Sequence, residues 1–249
     1  MKHGSAIATA RYRSLFRQPE DAVGTTIWRY LKPPHFKWLI EQSALRLARI
    51  NCFEDPLEGK IPFRSLECRR RFIEQKGVYD EQYWDEIDRD EENTTFANCW
   101  HQNVNESNEM WGDYCPQKVG AVVKSTYSKL EFECEAAGGP LILGCVDYVT
   151  DWTSADLYLG NTFPRFLLKD CRFYREQEAR LLCGGDAGVE FLKMPVRLSI
   201  FVDEIRIHPA APHNYFAEVE ALLQRNAPEL TSRLHPSCLK GIWPNDLNV

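Results

Sequence analysis

Residues 99–114 read CWHQNVNESNEMWGDY, and residues 174–180 read YREQEAR. These two stretches carry side chains whose types and spacing could do chemistry. Cys99 and His101 stand two apart, so a strand would put both on one face and Trp100 on the other. A C-x-H pair is half of a zinc site. No second ligand pair lies nearby, so no metal is expected there. Glu176, Glu178 and Arg180 alternate, and an extended strand would set all three on one face. Glutamates placed this way can stabilise a developing cation or hold a hard metal ion. Phe173 before them and Leu181-Leu182 after them run the segment into the core, where a charge needs a partner. Arg180 is therefore expected to be held by Asp55 or Glu58, and Glu178 to meet Arg29 of the stretch IWRYL, directly or through a bound nucleotide. Asp55 and Glu58 belong to FEDPLEG. The structural reading of that stretch is an acidic turn. Its functional reading is a carboxylate that fixes the fork of Arg29.

The 249 residues carry a net charge of −6, which argues against a globally basic nucleic-acid binder. The first sixteen residues have no apolar run of signal-peptide length, and no later stretch has the ~20 apolar residues of a membrane span. A soluble, cytoplasmic protein without membrane partners is expected. The nine cysteines are irregularly spaced and form no C-x-x-C pair. That pattern reads as small buried hydrophobes and not as a disulfide framework or a zinc ribbon.

The elements that must position these residues alternate between strands and helices. TIWRYL (26–31), TTFANCWHQ (94–102), GAVVKSTYS (120–128) and LILGCVDYV (141–149) read as strands. HFKWLIEQ (35–42) has helical spacing, as do the short YSKLEFECEAA and HNYFAEVEALLQRN (213–226). Residues 64–92 are charged and helical in pattern. Their second half is acidic, with Tyr79, Tyr83, Trp84 and Ile87 as an aromatic inner stripe. Asn103 with Glu106 three residues later resembles a capping box and predicts a helix over 104–114. Ser107, Met110, Trp111 and Tyr114 would share one side of it. Trp111 and Tyr114 would line a cleft, with Met110 deeper in the core. DCRFYREQEARLLC (170–183) passes from helix to strand, and VRLSIFVDEIRI (196–207) supplies further β-rich sequence. The expected fold is one α+β domain over 26–226, with a mostly antiparallel or split sheet flanked by helices. Residues 1–25 form an N-terminal extension, and 227–249 a tail packed on the surface.

Four stretches in order also resemble a widespread bacterial family of domains of unknown function. They are IWRYL (27–31), ALRLARINCFEDPLEG (44–59), CWHQNVNESNEMWGDYCPQKVGAVV (99–123), and YREQEARLL (174–182) followed by VDEIRIHP (202–209). Family members carry a Tyr-Arg-Tyr strand, Phe-Asn-Asp-Pro-Phe-Glu, Met-Trp-x-x-Tyr and Glu-x-Glu-x-Arg. Glu54 stands where Asn is usual, and Trp100-His101 where Phe-Ser is common. The resemblance spans residues 26–225. It implies a cytoplasmic bacterial protein linked with mobile elements and phage defence, with an unidentified macromolecular or small-molecule target and a partner protein from a defence operon.

Arg29, Ser125-Thr126 and Glu176/Glu178 further resemble, in order, the Arg, Ser-Thr-Ser and Glu-x-Glu of one branch of the ADP-ribosyltransferases. Here Tyr127 replaces the final Ser. That likeness implies NAD as cofactor and a toxin or defence effector. Arg29 would grip the pyrophosphate and Ser125 orient the ribose. Glu176 or Glu178 would stabilise the cation as nicotinamide leaves. Trp28, Tyr30, His101, Trp111 and Tyr114 would form the cofactor-binding surface, with aromatic rings to stack on nicotinamide. Asp55, Glu58 and Arg180 would support the site. Replacing Glu178 by Gln would spare folding and abolish activity. Two other readings stand beside this one. Asp55, Glu58, Glu106, Glu176 and Glu178 could serve a metal-dependent nuclease. Alternatively, the seven tryptophans and ten tyrosines build a non-catalytic sensor or partner-binding module.

Overall fold

The computed structural model describes residues 16–53, 55–77, 79–155, 157 and 163–239. Glu54, residues 1–15 of the expected extension and residues 240–249 of the expected tail lie outside them. The strands are β1 (Thr26–Leu31), β2 (Ala44–Arg49), β3 (Thr95–Gln102), β4 (Ala121–Thr126), β5 (Leu141–Cys145), β6 (Asp147–Val149), β7 (Leu168–Asp170), β8 (Glu178–Gly184), β9 (Phe191–Pro195), β10 (Glu204–Ile207) and β11 (Leu234–Pro236). The helices are α1 (Pro33–Gln42), α2 (Phe63–Lys76), α3 (Glu81–Thr94), α4 (Asn108–Tyr114), α5 (Tyr127–Ala137), α6 (Leu198–Phe201) and α7 (His213–Asn226). The class is α+β, with mostly antiparallel pairing.

The stretch read as one domain divides into two compact units, each assembled from separated parts of the chain. The first takes Leu47–Cys99 and Gly138–Leu192 together with residues 16–18. The second takes Pro19–Arg46, Trp100–Ala137 and residues 193–239. Strand β3 contributes residues 95–99 to the first and 100–102 to the second.

In the first unit, β3 pairs antiparallel with β2 (Ala48↔Ala97), and β8 pairs antiparallel with β5 (Arg180↔Gly144). Phe16, Ile50, Ala97, Ile142, Val146, Phe166, Leu167 and Leu182 form its apolar core. Helix α2 ends on Gly77, whose φ of +62° is the left-handed conformation that glycine adopts without steric cost. Asp80 caps α3 by accepting from Tyr83 N at 2.9 Å. The aromatic stripe expected to face inward on α3 is split: Trp84 and Ile87 are half-buried, with Arg69 4.8 Å over the Trp84 ring, whereas Tyr79 and Tyr83 are exposed and stack on each other. The helix is also fastened by charge. Arg165 meets Asp88 and Glu91, and Lys60 meets Glu92.

In the second unit the ladder runs β11-β10-β4-β1-β3, antiparallel except for the β10–β11 pair. Pro33 and Pro34 end β1 and then start α1, at positions whose N–H groups have no helical partner anyway. Phe36, Leu39 and Ile40 bury the inner side of α1, and Ser43 turns the chain out of it at φ +47°. Helix α4 begins later than the capping-box pattern suggests. Ser107, not Asn103, is the N-cap and accepts from Met110 N. Glu106 is thereby released for a tertiary role. The stretch 227–236 also departs from a surface tail. Leu230 and Leu234 are buried, and β11 adds a parallel strand to β10. VRLSIF turns into the short helix α6, not a strand.

Candidate functional site

Two clusters of buried polar groups, one in each unit, contain most of the residues that the sequence singles out. In the first unit the centre is Arg180 on β8, fully excluded from solvent. Its Nε and Nη2 donate to Glu178 Oε2 at 3.0 and 2.9 Å. Its Nη1 donates to Phe166 O at 2.6 Å, and both terminal nitrogens fork onto the Glu58 carboxylate. The strand expectation for Glu178 and Arg180 therefore holds, as does the pairing of Arg180 with Glu58. Glu176 departs from it. It closes a 3-10 turn, and Gln177 in the left-handed region separates it from β8. Lys169 on β7 bridges the two glutamates, with its Nζ 2.5 Å from Glu178 Oε1 and 2.9 Å from Glu176 Oε2. Tyr148 Oη accepts from Glu178 N at 2.8 Å.

Electrostatics follows from this packing. Burial raises the Glu178 carboxyl, but Arg180 and Lys169 together outweigh it and hold the group below the usual carboxylate range. Burial pushes Glu58 up against the pull of Arg180. It also pushes Glu176 up, aided by the neighbouring Glu178 charge. Burial costs Lys169 some of its basicity, yet the two glutamates more than restore it. The Cys99 thiol lies against Glu178, and burial first and that charge second raise it well above an ordinary thiol. Three carboxylates thus share two cations, and the oxygens of Glu178 are taken.

FEDPLEG builds one wall of this network by a turn. Asp55 Oδ1 accepts from Leu57 N at 2.9 Å, and Glu58 N donates to Asp55 O at 3.0 Å. Gly59 follows at φ +70°, where a Cβ would come within 2.6 Å of the Phe166 ring. The turn reading of Asp55 is the one realised, while Glu58 goes to Arg180.

In the second unit the centre is Glu106, also buried. Trp111 Nε1 donates to its Oε1 at 2.6 Å, as does Ser237 Oγ at 2.6 Å. Arg206 Nη1 and Cys238 N each donate to Oε2 at 3.0 Å. Tyr30 Oη accepts from Ser107 N at 2.7 Å, and its ring meets the edge of Trp111 at 4.9 Å. Burial raises the Tyr30 phenol strongly. Trp28 Nε1 donates to Asn103 O, and Lys124 and Arg206 lie over its ring. Trp28, Tyr30, Met110, Trp111, Cys115 and Val122 form one apolar cluster, with Leu239 packed against it. His208 stands on the other side of Trp111, at 4.8 Å between ring centroids.

Of the residues proposed from the sequence, the structure brings together Glu58, Glu176, Glu178 and Arg180 in one unit. It brings together Trp28, Tyr30 and Trp111 in the other, with His101 6.4 Å from the Tyr30 ring. Tyr114 does not join them. It is 39% exposed and lines no inner wall beside Trp111. Arg29 lies with its guanidinium 5.8 Å from the centroid of Trp100, in the second unit, while Glu178 belongs to the first. Ser125 is fully buried and donates to Phe201 O at 2.6 Å. Lys169, Tyr148, Arg206 and Ser237 are partners the sequence reading missed. A lysine between apolar Leu168 and a capping Asp170 was the available signal for the first. Among the described residues, no group of three or more His, Cys, Asp or Glu side chains is arranged to hold a metal ion.

No family model, no curated protein and no solved structure matches this chain.

Proposed function

We propose that this protein is a non-catalytic recognition module, which binds a macromolecular partner and does not turn over NAD. The observation that carries the reading is the saturation of the groups that could do chemistry. The oxygens of Glu178 are bonded to Lys169 and Arg180. Ser125 is buried on a backbone carbonyl. Trp28, Tyr30 and Trp111 are packed as core with their polar atoms bonded. A nucleophile or a cation-stabilising carboxylate needs an open side toward substrate, and these groups face protein. The large apolar side chains left in solvent concentrate on α2, α3 and the link between them, where a partner would sit.

The test is incubation of the full chain with labelled NAD and lysate, then with purified protein, DNA and RNA fractions. No label transfer is expected. The Glu178→Gln chain supplies the second arm. Breaking a buried ion pair on one side costs about 3–5 kcal/mol, so its urea midpoint should fall sharply. Label transfer by the parent chain, lost in a Glu178→Gln chain of unchanged stability, overturns the reading.

A further inference from the structure

Glu106 takes its donors from two different sources within the second unit. Trp111 on α4 and Arg206 on β10 reach it from the body of the unit. Ser237 Oγ and the backbone N–H of Cys238 reach it from the segment that follows β11. Each carboxylate oxygen accepts one donor of each kind: Oε1 from Trp111 and Ser237, Oε2 from Arg206 and Cys238. Ser237 Oγ also accepts from Leu239 N at 2.9 Å, so the hydroxyl is used twice and bends the segment back. Leu239 then packs against the cluster of Trp28, Tyr30, Met110, Trp111, Cys115 and Val122.

The body is organised without help from this segment. Arg206 Nε donates to Glu204, and its guanidinium lies 5.4 Å from the centroid of the Trp28 ring. Trp111 is fixed between the Tyr30 ring and His208. Tyr30 Oη is bonded to Ser107 N. With the segment removed, Glu106 keeps a charged donor on one oxygen and an indole N–H on the other, so its charge stays paired. The segment is held more lightly. Among the described residues its hydrogen bonds to the body are the two to Glu106, and its apolar anchor is the half-buried Leu239. The side chain of Cys238 points into solvent.

We propose that Glu106 and this aromatic cluster form a receptor for a linear peptide carrying Ser-x-Leu, which the protein's own Ser237–Leu239 fills until a partner's segment displaces it. The chemistry sets the pattern. The first position needs a hydroxyl, which donates to Glu106 and accepts the third N–H. The second contributes its N–H alone, which leaves its side chain free to vary. The third supplies an aliphatic group to the aromatic rings. An acidic first residue is excluded by the charge of Glu106. Backbone bonds with alternating side-chain contacts are a recurring way of reading an extended peptide. The receptor belongs to the second unit and is independent of the surface on α2 and α3.

The test is fluorescence anisotropy on the full chain with an acetylated, C-terminally labelled peptide of residues 237–241, Ser-Cys-Leu-Lys-Gly. The parent is compared with a chain carrying Ser237→Asp and Leu239→Asp, in which charge drives the segment off Glu106 and out of the apolar cluster. In the parent the tethered segment competes at high effective concentration. The double variant should therefore bind the peptide at least about tenfold more tightly. Ser237→Ala or Leu239→Asp made in the peptide should abolish binding to the variant, whereas Cys238→Ser should not. Circular dichroism and urea unfolding check that the variant is folded. A variant that unfolds overturns the proposal, because the segment is then part of the core and not a ligand of it. So does a folded variant that binds the peptide no more tightly than the parent, or one indifferent to the serine and leucine of the peptide.

Discussion

Single residues here act through burial more than through reactivity. His208 illustrates it. Its Nδ1 accepts from Ala210 N at 3.0 Å, which places the ring proton of the neutral form on Nε2. Burial lowers its pKa to about 4, against a smaller upward pull from Glu106, with Lys118 adding to the lowering. The folded chain thus prefers the neutral ring, whereas the unfolded chain takes a proton near the usual histidine value of ~6.5. A group depressed by folding contributes stability above its unfolded pKa and loses it as pH falls toward the folded one. The contribution of His208 should therefore be complete at pH 7 and decline between about pH 6.5 and 4, by up to ~3 kcal/mol. Urea unfolding of the parent and of His208→Phe at several pH values checks this. The parent should lose stability over that window more steeply than the variant, and parallel curves would assign the slope elsewhere.

At the scale of elements, the turn before α2 decides whether the Arg180 network closes. Gly59 follows Glu58 in the left-handed region, and the Phe166 ring occupies the space that a side chain would need. Phe166 also offers its carbonyl to Arg180, so a shift of this ring disturbs the same guanidinium that Glu58 holds. Gly59→Ala meets both penalties at once, strained backbone and a displaced ring. It should destabilise the chain by about 1–3 kcal/mol, read as a lower urea midpoint. Gly77→Ala makes the comparison. Gly77 has a similar φ of +62° but nothing within 4 Å of the added carbon, so it should cost less. Equal losses at the two positions would mean that the Phe166 contact carries no weight.

For the whole molecule, the cysteines report how the chain is packed. All nine are free thiols. Cys52, Cys68 and Cys238 are exposed, whereas Cys115, Cys134 and Cys145 are buried. Reactivity follows the thiolate and its access to solvent. Burial raises Cys115 to about 12 and Cys183 and Cys99 above their ordinary value. A thiol reagent at neutral pH should therefore label three cysteines rapidly and all nine only in denaturant. A native protein with six or more fast thiols would contradict the packing described for both units.

The strands and helices that carry the site residues were legible from side-chain type and period. HNYFAEVEALLQRN buries one side at helical spacing, whereas TIWRYL and TTFANCWHQ, rich in β-branched and aromatic residues, are buried on both faces. The charge alternation of Glu178 and Arg180 was legible for the same reason, and it led to Glu58 because a buried guanidinium requires an acceptor. Three things were decided only in three dimensions. The bridge from Lys169 to Glu176 and Glu178 joins residues whose pairing depends on a turn and on the β6–β7 ladder, and no spacing along the chain encodes it. Glu106 satisfied a local capping pattern, yet four donors, two of them more than 130 residues away, drew its carboxylate into the core. The aromatic stripe Tyr79, Tyr83, Trp84 and Ile87 had the right period for burial, yet Tyr79 and Tyr83 remained exposed while Trp84 and Ile87 are half-buried, because periodicity states which residues share a face and not what covers that face.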